Sequence, residues 1–91
     1  MDRASFEAAL SRDGYQIVTN TMQPNVVNAE HAHSFDARLL IVAGAMTIMR
    51  DGAETRTYQT GETFEMPAGT RHSETVGAEG ATYVAGRRQR A

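Results

Sequence analysis

Apolar and polar positions change rhythm once along the chain. Between Ser5 and Arg12, Phe6, Ala9 and Leu10 recur at helical spacing, with Asp2 or Ser5 placed to cap the start and Gly14 to end the last turn. The spacing predicts a short N-terminal helix over 5–12. From Tyr15 onward the apolar residues come in short β-branched and aromatic runs separated by Gly, Pro, Asn or Asp, the pattern of antiparallel strands. Eight runs qualify: 15–22, 26–33, 37–43, 45–50, 54–58, 63–66, 72–76 and 81–87. Asp51-Gly52 predicts a two-residue type I′ hairpin after Arg50. Eight short strands at near-regular spacing predict an all-β fold, a small antiparallel β-barrel or jelly roll over 15–87 with the helix as an accessory. Residues 1–91 form one domain on this reading.

Length changes the picture through the size of the core. A chain of 91 residues buries only about 60–65% of the surface its unfolded form exposes, so pairing into a homodimer is expected to help it. The net charge of -2 gives no reason to expect nucleic acid or an anionic membrane and names no partner, while a small closed barrel has room for one small-molecule ligand at its mouth. With no cysteine, disulfides, thiolate metal sites and cysteine nucleophiles are excluded, and any metal must be held by nitrogen and oxygen. No apolar run has the length of a signal peptide or a membrane span, so a cytoplasmic protein is expected. All nine basic residues are arginine, and the group Arg87, Arg88 and Arg90 reads as a solvated tail.

The candidate chemistry lies in three histidines and two acids. His31 and His33 are one residue apart, a spacing that points both imidazoles to one face of a strand, where they can chelate. His72 follows Pro67-Ala68-Gly69, a turn that delivers it to the start of a later strand. Glu74 shares parity with His72 and is aimed inward, where an unpartnered carboxylate would be costly. Asp36 has the opposite parity from Ala37 and is read first as a turn residue or a partner of Arg38. Met46, Met49, Met66, Phe35 and Phe64 read as barrel core or pocket lining.

These residues fall into two motifs that resemble those of the cupin superfamily, in particular the small single-domain bacterial cupins. The first, over 25–44, carries His31, His33 and Gly44 at the family spacing; the second, over 61–76, carries Gly61, Pro67, Gly69 and His72. Together with the segment between them they span more than half of the chain. The departures are specific. Asn25 replaces the opening Gly, Val76 replaces the closing Asn, and the glutamate that is usually the fourth ligand falls on Ala37.

The resemblance implies a single divalent transition-metal ion on His31, His33 and His72, with Asp36 and Glu74 as candidates for the fourth position. Nitrogen donors alone do not choose among Fe, Ni, Zn, Mn and Cu. Three protein ligands leave open positions for substrate, which a catalytic ion needs. Glu74 is the candidate catalytic residue, read as a general base or as a group that supports the ligands, and Arg38, Leu39, Ile41, Phe64 and Met66 are expected at the pocket. A three-histidine site without the glutamate is similar to that of cupin dioxygenases acting on diketones or thiols, so a dioxygenase-like oxidoreductase acting on a small chelating diketone, thiol or hydroxy acid is the leading expectation. An isomerase or lyase acting on a sugar-derived substrate, and a non-catalytic sensing module, are the alternatives.

Overall fold

The computed structural model describes residues 1–90. One helix, α1 (Arg3–Arg12), precedes six strands: β1 (Gln16–Met22), β2 (Val27–His31), β3 (Phe35–Arg50), β4 (Arg56–Gln59), β5 (Thr63–Met66) and β6 (His72–Gln89). The helix starts two residues earlier than its apolar spacing predicts, because Asp2 is the cap and accepts a hydrogen bond from the Ser5 backbone N–H. Gly14, at φ 81°, turns the chain out of it.

Two pairs of predicted strands are each one long strand. The runs 37–43 and 45–50 join in β3, and 72–76 and 81–87 join in β6. The glycines that read as strand breaks are bends instead. Gly44 and Gly80 both have φ 77°, and a Cβ on Gly44 would lie 1.9 Å from the Gly80 carbonyl oxygen. The two strands therefore bend side by side at a crossing that only glycine permits. Register shifts in the β3–β6 ladder flank the same point, between Ile41 and Ala43 and between Gly44 and Met46.

The bend folds the sheet onto itself. β3 and β6 pair antiparallel along nearly their whole lengths; the first half of β3 carries β5 and its second half β4, while the two halves of β6 carry β2 and β1. The result is a small antiparallel β-barrel of jelly-roll type. Its interior is filled by Ala37, Ile41, Met46, Ile48, Tyr58, Phe64, Met66, Val76 and Ala81, drawn from both halves. Leu40 and Val84 face outward from the strands and are covered by Phe6 and Leu10 of α1, with Tyr15 beside them. The helix thus closes a second, outer core.

The Asp51-Gly52 turn is in the predicted place but is not a two-residue hairpin. Ala53 N–H donates to Arg50 O, Gly52 has φ 75°, Asp51 does not have positive φ, and β4 begins only at Arg56. A type I′ turn needs positive φ at both central residues. The end of β3 is held by β6, with Arg50 opposite His72, so the chain must travel farther before it can pair again.

Candidate metal centre

The bend places both ends of β3 and both ends of β6 at one mouth of the barrel. β2 ends at His31, directly opposite His72 at the start of β6. His33 lies just beyond β2 rather than within it, so strand parity is not what aims its ring. The aim comes from the loop: Gly69 N–H donates to His33 O at 2.9 Å, tying this segment to the turn that delivers His72.

The three imidazoles nevertheless converge. Ring centroids are 4.3 Å apart for His31 and His72, 4.9 Å for His31 and His33, and 5.3 Å for His33 and His72. One nitrogen from each ring lies within 4.8 Å of the others. Ligands to a single ion at about 2.1 Å stand roughly 3–4 Å apart, so the rings need only a small inward movement to share one. Tautomers favour this. His31 Nδ1 lies 2.7 Å from Ala29 O and His72 Nδ1 lies 3.0 Å from Thr70 O. A carbonyl can only accept, so each Nδ1 carries the proton and each Nε2 presents its lone pair. Burial, helped by the neighbouring His31 and His72, lowers the pKa of His33 and keeps it neutral, the state a ligand requires. The donor set therefore fits a divalent transition metal.

Glu74 stands beside this group. Its Oε1 is 3.6 Å from His31 Nε2 and accepts a hydrogen bond from Asn28 Nδ2 at 3.1 Å. It faces into the barrel as its parity predicts. Asp36 does not join the site: its Oδ1 accepts from Ala68 N–H at 2.8 Å and from Arg90 at 2.6 Å. Those bonds, the backbone one first, lower its pKa. Its work is to hold the Pro67–Gly69 turn, and its arginine partner is Arg90 rather than Arg38.

Beneath the histidines lies a cavity of about 50 Å³, lined by Phe35, Ala37, Leu39, Phe64, Met66 and Tyr83 as well as His33, His72, Glu74 and Arg87. Leu39, Phe64 and Met66 stand where parity puts them. Ile41 faces the same interior but is 0% exposed, sealed in the core below the cavity. Arg38 is outside it, since alternation in β3 turns its side chain to the outer face, where it binds Asp13 at 2.7 Å and lies over Tyr15. Ala37, at the family's glutamate position, borders the cavity.

The C-terminal arginines are exposed, as a solvated tail would be, but Arg87 and Arg88 belong to β6 and the group is held in place. Arg88 donates to Asp13 O, Arg90 pairs with Asp36, and Arg87 lies at the cavity with its guanidinium 5.1 Å from the Phe35 ring centre. The signal for Arg87 was the alternation Tyr83, Ala85, Arg87, which shares the inward face of β6 and pairs with Ile41, Leu39 and Ala37 of β3.

No family model matches the sequence, and no curated protein matches it either. Solved structures do match. A Rhizobium leguminosarum protein of unknown function is 22% identical, with a TM-score of 0.78 over 86% of this chain and 73% of that one. An RmlC-like cupin from Shewanella frigidimarina is 18% identical, with a TM-score of 0.69 over 84% and 68%. The DMSP lyase DddQ of Ruegeria pomeroyi is also 18% identical, with a TM-score of 0.75 over 84% of this chain but only 39% of the lyase. Bent strands, jelly-roll pairing and these likenesses agree: the chain has the cupin fold, in the form of a small cupin barrel.

Proposed function

We propose that this chain is a metal-dependent enzyme for a small chelating organic substrate, with one divalent ion on His31, His33 and His72 and with Glu74 as the group that moves a proton. The observation that carries this reading is the placement of Glu74 in the same cavity as His33 and His72, beside the three-nitrogen group but not within it. A bound ion would polarise the substrate oxygens that chelate it.

The chain's own residues supply the rest. Asn28 donates to Glu74 Oε1, and Oε2 has no hydrogen-bond partner among the described residues, so Oε2 is the atom free to take or return a proton. Leu39, Phe64 and Met66 keep that cavity apolar and small, which limits water around the carboxylate. Ala37 leaves open the position that a glutamate ligand would fill, so a substrate atom can take it. A carboxylate poised this way suits elimination and isomerisation, and one structural neighbour is a lyase. It suits equally the deprotonation of a diketone, thiol or hydroxy acid that precedes oxidation.

The test is reconstitution under anaerobic, reducing conditions with Fe, Ni, Zn, Mn and Cu ions in turn, followed by metal analysis and by turnover assays on diketones, thiols and hydroxy acids with oxygen uptake recorded. One ion per chain and turnover that Glu74→Gln abolishes while retaining the ion are expected. A wild-type protein that takes up no ion would overturn the reading. Oxygen uptake distinguishes a dioxygenase from a lyase or isomerase, and full ion uptake without turnover across the panel indicates a binding module.

A further inference from the structure

Of the nine arginines, eight are engaged through their guanidinium groups: Arg3 with Glu7, Arg12 and Arg38 with Asp13, Arg56 with Glu62, Arg71 with Glu30, Arg90 with Asp36, and Arg50 and Arg88 with the carbonyls of Glu65 and Asp13. Arg87 has no hydrogen bond or ion pair among the described residues. Its guanidinium lies over the Phe35 ring, whose other neighbour is His33, stacked at 4.7 Å and 20°. The order His33, Phe35, Arg87 sets a cation one ring away from the candidate metal centre.

Arg87 and Phe35 also border a second concavity. Outside the 50 Å³ cavity is an open groove of about 400 Å³ lined by Gly14, Gln16, Phe35, Arg87, Arg88 and Gln89. Its lining holds two arginines and no carboxylate. The only acid in the inner cavity, Glu74, is turned to Asn28 and His31. Opposite Arg87 on β3 is Ala37, whose methyl leaves room beside the guanidinium.

We propose that Arg87 is the anion anchor of the site, and that the substrate is a small organic acid whose carboxylate binds Arg87 at the junction of groove and cavity while its chelating atoms face the histidines. This rests on the metal-centre reading above and narrows its substrate class to carboxylates. A guanidinium presents paired N–H donors matched to a carboxylate, and stacking on an aromatic ring pre-orients it without using those donors. Arg87 is a specificity residue and moves no proton.

Malonate and its uncharged diamide, malonamide, are suitable probes, titrated calorimetrically into the full chain with and without Zn(II) while the arginine Nε–H resonances are followed by NMR. Malonate is expected to bind at least about tenfold more tightly than malonamide and to shift the Arg87 Nε–H signal. Arg87→Gln should weaken malonate about tenfold to hundredfold, leave malonamide unchanged and leave zinc content unchanged. Arg87→Lys should restore part of the loss, and Arg56→Gln should have no effect. Equal binding of the two probes, or undiminished malonate binding in Arg87→Gln, overturns the proposal. Failure of the metal reading is seen separately, as no zinc uptake by the wild type; the Arg87 signal in the zinc-free protein then still decides the anion site.

Discussion

The two ends of this barrel are built from the same two strands and share almost nothing else. At the bend, β3 and β6 contribute Ile41, Met46, Val76 and Ala81, each 4% exposed or less. At the mouth, the same strands and the loops that flank them contribute His33, Phe35, His72, Glu74 and Arg87. The closed end is what a chain of this size needs in order to fold; the open end carries polar groups that add little to folding and are the ones the proposed function uses. The difference teaches that position along one strand, rather than strand identity, separates stability from chemistry here.

Substitutions at the two ends should therefore break different things. The largest effect is expected at the bend. Gly44→Ala puts a Cβ 1.9 Å from a backbone oxygen at φ 77°, and the protein should fail to fold or lose about 4 kcal/mol or more in denaturant unfolding. Gly52→Ala has nearly the same φ but nothing within 4 Å, and should cost only about 1–2 kcal/mol. If the two variants behaved alike, crowding at the bend would not be what selects glycine there. Met46→Ala, in the barrel core, should cost about 2–5 kcal/mol with any bound ion retained. His72→Ala should reverse that pattern: ion affinity measured by competitive chelation falls about 100-fold or more, while the unfolding of the ion-free protein changes far less.

The smallest effect concerns acid. The Ala68 N–H and Arg90 hold the Asp36 carboxyl below its ordinary value of 3.8. A carboxyl whose pKa is depressed by folding contributes stability above its unfolded value and loses it as the pH falls through the folded one. Thermal unfolding followed from about pH 5 downward should show this loss beginning near pH 4 in the wild type and reduced in Asp36→Asn. An unchanged acid profile in the variant would mean that the Pro67–Gly69 turn does not depend on this carboxylate.

Much of this was legible in the sequence, for identifiable reasons. The histidine spacing and the turn before His72 pointed to the three rings that converge, and the parity of Leu39, Phe64, Met66 and Glu74 matches their place on the cavity wall. Parity failed for His33, which lies outside its strand and is aimed by a hydrogen bond from Gly69. The strand count failed at Gly44 and Gly80 because a glycine that ends a strand and one that lets two strands bend together look the same locally. Arg38 and Arg87 depend on long-range pairing: Arg38 has the parity opposite to Ala37 and Leu39, and Arg87 the parity of Tyr83 and Ala85. The pairing of β3 with β6 sets Arg87, though exposed, at the rim of the cavity and turns Arg38 to the outer face.

The hydrogen bond from Gly69 N–H to His33 O, together with that from Asp51 N–H to Arg71 O, sews the histidine-bearing loops to one another and to the end of β3. His33 and His72 would thus come free in a single local opening, well short of global unfolding. The lifetime of a captured ion should accordingly be set by the rate at which this seam parts, and slowing of amide exchange at Gly69 would be its clock.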